Sequence, residues 1–334
     1  MSSGRGLFNS TLARHLQDYL EFKRSLGYTS FSNVHAAKDF DGYLLFRAVI
    51  SLRELNESLV ANWMHAIPTQ AAATKNGKLR FARGFLDYLV RLALISDNPA
   101  RRIPYLKQKA YKPYIYSLLE IHRILEAARD LQRRYPNRLT GWTMETFVLL
   151  LYACGLRLGE AVNLRIEDVD FEQGTLSLWK TKFHKERLVP FSPVVGKKLR
   201  AYLARRGKAR LPAGPRDPFF AHPGGKYSKY SMNGRFRLLL VHTGLAKSKG
   251  RGGPRIHDLR HSFACHRLYK WYQEGHDILN KLPLLSTYMG HVNIENTQVY
   301  LTITQTLLRE GDRRFQSDFE AVAHKALERA IGKP

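Results

Sequence analysis

Acidic residues are scarce in this chain. Only 28 Asp and Glu stand against 54 Lys and Arg, which leaves a formal net charge of +26 over 334 residues. The excess is spread along the sequence rather than gathered in a tail. It points to a polyanionic partner, with long nucleic acid the usual one and an anionic membrane surface or a solubility device the weaker alternatives. Cysteine is nearly absent: Cys154 and Cys265 sit in apolar surroundings without CxxC spacing and read as reduced core residues of an intracellular protein. No run of 18 apolar residues occurs, so no membrane span is expected. Met1-Ser-Ser-Gly-Arg-Gly has no apolar stretch of the kind a secretory signal needs. The 13 histidines fall in no HExxH or CxxC-type pattern, so neither a metal nor another cofactor is expected. There is no P-loop, no pair of nuclease-type carboxylates, no internal repeat and no low-complexity tract.

What is present is helical patterning. Leu12, Leu16, Tyr19 and Leu20 recur at helical spacing within 10–26, and Gly27 is a plausible C-cap. Further helices are predicted near 32–48, 57–66 and 70–93. In the last of these Leu79, Ala82, Leu86 and Leu89 form an apolar stripe, while Asn76, Arg80, Arg83, Asp87 and Arg91 share another face. That face is either solvated surface or, with Lys75 and Lys78, a track for a phosphate backbone. Asn98-Pro99 breaks the pattern. Residues 1–106 thus read as a small helical domain, 107–115 as a basic, proline-punctuated linker, and 116–334 as a second domain.

The second domain opens with a helix near 117–131 and an apolar segment, Phe147 to Tyr152, ending at Gly155. A helix from about Arg157 to Leu164 and a turn at Asp168-Val-Asp170 follow. Two short strands, 174–179 and 187–191, flank a connection carrying Lys180, Lys182 and Lys185. Helices are predicted at 193–206, 231–243, 258–272 and 282–290, and a capping box at Ser317-Asp-Phe-Glu320 starts a last helix over 317–331.

Four separate stretches carry groups suited to phosphoryl transfer. Arg157 lies in Gly155-Leu-Arg-Leu-Gly-Glu160, where pairing with Glu160 or Asp168 would be a purely structural role. Lys182 lies in the hairpin connection, with Lys180 and Lys185 as alternatives. His257 and Arg260 fall at i, i+3 on one helix face. His291 follows Gly290, and Tyr300 stands nine residues further on.

Each signal alone is weak, but the ordered set resembles the tyrosine recombinases, the family of phage integrases and Xer-type site-specific recombinases. Arg187-Leu-Val-Pro190, Leu259-Arg-His-Ser-Phe-Ala264 and Tyr288-Met-Gly-His291 agree with it, from about residue 10 to 305. The resemblance implies a mostly α protein: an N-terminal four- to five-helix, SAM-like core-binding domain, and a mainly helical catalytic domain with a small antiparallel β-sheet. It implies a DNA strand transferase needing neither metal nor ATP, acting through a 3′-phosphotyrosyl intermediate, as a homotetramer on double-stranded DNA, via a Holliday junction. Arg157 and Arg260 would clamp the scissile phosphate, Tyr300 would be the nucleophile, His257 the base, Lys182 the general acid, and His291 a phosphate donor or positioning group. Lys75, Lys78, Arg80 and Arg83 would contact DNA. Related recombinases or accessory proteins are further implied partners, no membrane is, and the implied location is the cytoplasm, at the nucleoid. Two alternatives share the scaffold: a type IB topoisomerase-like or hairpin-resolving enzyme, and a catalytically idle DNA-binding accessory protein. The hairpin tip departs from the family in lacking Gly-Lys-Gly around Lys182.

Overall fold

Capping residues set where the helices begin. Asn56 accepts the amide of Leu59, Ser117 and Glu120 form a reciprocal capping box, and Ser192 and Ser228 each cap the helix that follows. The structure is a computed structural model that describes residues 7–28, 31–69, 71–108, 112–135, 139–179, 186–247, 253–291 and 295–309. The chain forms two compact units, Met1–Tyr111 and Lys112–Pro334.

The first unit holds α1 (Ala13–Ser25), α2 (Phe31–Phe46), α3 (Glu57–Ala66) and α4 (Ala72–Arg91), with 3₁₀ turns at Leu52–Glu54 and Pro99–Arg101. Its core is aromatic-rich: Tyr19 of α1 meets Phe81 and Phe85 of α4 edge-on, at centroid distances of 5.8 and 5.6 Å. Gly84 permits this approach, because a Cβ there would sit 2.4 Å from the Tyr19 hydroxyl. The apolar stripe Leu79, Ala82, Leu86 and Leu89 is fully buried, as its spacing requires.

The opposite face of α4 is not a continuous basic surface. Asn76 is buried and exchanges two 2.8 Å hydrogen bonds with the backbone of Leu106. Arg83 donates to the carbonyls of Ala100, Arg101 and Ile103 and lies over the Tyr105 ring. Asp87 takes Arg101 and Asn98. Polar groups that read as solvent-facing instead satisfy backbone groups of the 98–106 segment, which lies along the helix. Lys78 pairs with Asp39, whereas Arg80 is exposed.

The second unit runs α5 (Leu118–Arg134), α6 (Thr140–Ala153), α7 (Leu158–Asn163), β1 (Val169–Asp170), β2 (Thr175–Leu178), β3 (Arg187–Pro190) and α8 (Pro193–Lys208). There follow β4 (Ala221–His222), β5 (Gly225–Lys226), α9 (Lys229–His242), α10 (Asp258–Gln273), α11 (Ile278–Met289) and α12 (Glu295–Arg309). The apolar segment 147–152 is the second half of α6, a helix whose Met144, Phe147, Val148, Leu150 and Leu151 are all buried in the main core. Strands β1, β2 and β3 form an antiparallel sheet with Leu176 paired to Val169 on one side and Val189 on the other. The expected turn at 168–170 is therefore also the edge strand β1. A second cluster, with Phe263, Leu268, Leu282, Leu285, Met289 and Tyr300 buried, joins α10, α11 and α12. Helix α11 begins at Ile278, four residues before the predicted start, because Asp277 caps the amides of Leu279 and Asn280 and Pro283 is accommodated inside the helix. The helix predicted over 317–331 and the connection holding Lys180, Lys182 and Lys185 lie outside the described residues.

Candidate active site

The turn after α6 depends on Gly155, which has φ +59°; a Cβ there would meet the Phe263 ring at 2.5 Å. This turn places Arg157 at the N-cap of α7, where Glu160 folds back on it. The Glu160 carboxylate accepts the Arg157 backbone amide at 2.8 Å and its guanidinium at 2.8 Å. The structural pairing of Arg157 with Glu160 is thus real, and it leaves the guanidinium about a quarter exposed, lining the site. Glu160 also takes Arg187 of β3. Burial would raise the Glu160 carboxyl, but the hydrogen bonds and charge of Arg187, with those of Arg157, hold it at about 2.

Arg260, in the first turn of α10, is 2% exposed. It donates to the Gly155 carbonyl at 2.5 Å and the Met289 carbonyl at 2.6 Å, binding the turn after α6 to the end of α11. Burial, and then the neighbouring charge of Arg157, lower its pKa to about 9, so it remains a cation at neutral pH.

The third stretch begins at Gly290, which ends α11 in the left-handed conformation, φ +65°, with a hypothetical Cβ only 2.7 Å from Arg187 Nη1. The Gly290 carbonyl accepts from Arg157 at 2.5 Å. His291 holds the Thr297 hydroxyl at 2.7 Å through Nδ1, which fixes the ring against α12. Burial first, then Arg260, Arg157 and Arg187, depress His291 to about 3. Tyr300, on α12, is 3% exposed and stacks beside His291 at a centroid distance of 6.2 Å. Its hydroxyl is pushed up to about 12 by burial, against which Arg260 and Arg157 pull downward.

The Tyr300 hydroxyl bonds His261 Nδ1 at 3.0 Å. His257, expected to serve it, instead packs its ring edge-on to His261 at 4.9 Å and faces the adjacent cleft. That cleft has a volume of about 1170 Å³ and a charged lining of both signs, with Arg157, Arg165, Arg216, Lys226 and Lys229 alongside Glu160, Glu167, Asp168 and Glu186, and His257 on its wall. Sequence reasoning passed over His261, although it is one turn beyond His257 on the same helix face. Arg157, His257, Arg260, His291 and Tyr300 are therefore brought together by their own contacts; Lys182 lies outside the described residues. Among the described residues no group of three or more His, Cys, Asp or Glu could hold a metal ion, and no helix is long and apolar enough to cross a membrane.

A mainly helical unit with a three-stranded antiparallel sheet and two arginines beside a buried tyrosine is the architecture of a recombinase catalytic domain. The fold matches the solved structure of XerH site-specific recombinase bound to its palindromic difH substrate, with a TM-score of 0.63, 20% identity, and coverage of 90% of this chain and 84% of that one. The model of the phage integrase family matches residues 119–306. A protein of Sinorhizobium fredii described as an integrase/recombinase is 33% identical over 314 residues, covering 93% of this chain and 99% of that protein. A tyrosine recombinase of Pseudothermotoga lettingae is 28% identical over 313 residues, covering 90% and 99%. This chain belongs to the phage integrase family: it is a tyrosine recombinase, an enzyme of site-specific DNA recombination.

Proposed function

We propose that the protein cuts and rejoins duplex DNA through a 3′-phosphotyrosyl intermediate. The observation that carries this reading is that Arg157 and Arg260 are both hydrogen-bonded to the end of α11, at the Gly290 and Met289 carbonyls, beside His291, which stacks on the buried Tyr300 ring. The Tyr300 oxygen attacks the scissile phosphorus, the bond from phosphorus to the 5′ oxygen breaks, and Lys182 gives that oxygen its proton. Arg157 and Arg260 offer charged, forked donors to the non-bridging oxygens, whose charge builds in the transition state. His257, on the cleft wall, donates to the same phosphate, and His291 holds the start of α12. The phosphotyrosyl bond conserves the energy of the broken phosphodiester, and a 5′ hydroxyl from another strand reverses the step without ATP.

Four protomers act on two sites, exchanging strands through a Holliday junction, with the helix predicted over 317–331 packing onto a neighbour. Residues 1–106 serve as the core-binding domain, with the half-buried Lys75 and the exposed Arg80 as cations for the DNA backbone. Protein and DNA meet at the nucleoid, in the cytoplasm. Trapping on nicked suicide substrates from the DNA flanking the gene tests the chemistry. Wild-type protein forms covalent adducts, and Tyr300→Phe binds the same DNA with near wild-type affinity and forms none. Adducts persisting in Tyr300→Phe would remove Tyr300 from the mechanism.

A further inference from the structure

We propose that His261 takes the proton of the Tyr300 hydroxyl as that oxygen attacks phosphorus, while His257 serves the phosphate. The inference rests on the reading of Tyr300 as nucleophile. Its geometric ground is direct. His261 Nδ1 lies 3.0 Å from the Tyr300 oxygen, within the reach a general base needs, whereas His257 packs edge-on to the His261 ring at a centroid distance of 4.9 Å. His257 also lines the adjacent cleft with Arg157, the guanidinium proposed to hold the phosphate, and His261 does not.

In the tautomer that can receive the proton, the Tyr300 hydroxyl donates and the neutral His261 Nδ1 accepts. Donation in this sense leaves the oxygen lone pairs available for the phosphorus. The groups facing His261 are His257, Asp258, Arg260 and Arg255 from its own helix and the residues before it, with Tyr300 from α12 and His291 from beyond α11. Burial, and then His257, hold the ring neutral, at about 4, so it is an acceptor throughout the neutral range. Such a ring is a weak base toward a resting phenol. It becomes competent in the transition state, because a phenol oxygen forming a bond to phosphorus loses hold of its proton steeply. The proton then moves from Tyr300 Oη to His261 Nδ1 as the O–P bond forms, and it returns by the same path when a 5′ hydroxyl displaces the tyrosine.

Single-turnover cleavage of a nicked suicide substrate by the full-length protein, between roughly pH 6 and 9, tests this. Wild type is expected to show no ionisation of His261 in that window. His261→Ala and His261→Asn should cleave about 10²–10⁴-fold more slowly, with rates rising about tenfold per pH unit as hydroxide replaces the base, and imidazole should restore His261→Ala. Asparagine keeps a hydrogen-bond acceptor but cannot carry a proton. Full activity in His261→Asn would therefore reduce His261 to positioning and overturn the proposal, as would a wild-type profile in His261→Ala. Should His261→Ala fail to fold, the Asn variant decides. Tyr300→Phe run in parallel separates the two claims: adducts from that variant defeat the nucleophile reading, whereas its silence beside fully active His261 variants defeats only this one.

Discussion

Arg187 and Glu160 meet fork to fork, Nη1 to Oε1 and Nη2 to Oε2, each at 2.9 Å. The same guanidinium reaches the Tyr288 carbonyl through Nε at 3.0 Å. One strand residue thereby fastens β3 to α7 and to the end of α11, the segments that carry Arg157 and introduce His291. Both partners are nearly buried, with side-chain exposures of 11% and 7%. Buried ion pairs of this kind are costly to break one side at a time, because the survivor is left charged and unpaired.

Glu160→Gln is expected to destabilise the protein by an amount on the order of 3 kcal/mol, which is what holding a carboxyl at about 2 rather than 4.5 represents. The folded-state pKa is depressed, so this contribution is complete above the unfolded value near 4.5 and is lost as pH falls toward 2. Chemical denaturation of the full chain across that range should show the wild type losing stability that the variant never had.

Gly290→Ala combines a left-handed backbone with a collision against Arg187. A cost of roughly 1–2 kcal/mol is expected from the backbone alone, and more from displacing the guanidinium. Suicide-substrate cleavage should fall with it, since both Arg157 and Arg187 are anchored to this segment. A variant with wild-type melting and cleavage would mean that the turn relaxes freely.

Arg260→Lys keeps the charge but loses the fork that spans the carbonyls of Gly155 and Met289. Cleavage should drop by about 10²–10³-fold at saturating DNA, with a measurable loss of melting temperature. Single-turnover rates compared with melting curves separate the two effects.

Arg80 and Arg83 should behave in opposite ways. Arg80→Ala, at an exposed cation, is expected to weaken DNA binding and reduce the slope of log K against log salt by about 0.9. Arg83→Ala removes donors from three backbone carbonyls and should lower stability instead. Salt titrations paired with denaturation distinguish them, and a full salt-slope change in Arg83→Ala would contradict its structural assignment.

Most helices were legible because a stripe such as Leu79, Ala82, Leu86 and Leu89 can only be buried on one side. Strand β1 escaped notice because two residues are too few to show alternation, and the start of α11 because Pro283 masks a helix that Asp277 caps. The basic face of α4 was only half legible. A polar side chain facing water and one facing a carbonyl have the same periodicity, and Arg83 and Asn76 turned out to be of the second kind. At the site, motif order singled out Arg157, His257, Arg260, His291 and Tyr300, which lie near one another, but not which histidine touches Tyr300. His257 and His261 share a helix face, and choosing between them requires knowing where α12 lies.

The two carbonyl bonds of Arg260 have a consequence for how such a protein could lose its trade. Removing that side chain cuts a strut between the turn after α6 and the end of α11, whereas removing one oxygen from Tyr300 leaves its ring packed. A descendant relieved of cutting DNA would therefore keep Arg260 for its architecture and drift at Tyr300 first. On the proposed reading of Tyr300 as nucleophile, the tyrosine is the better witness to a living enzyme.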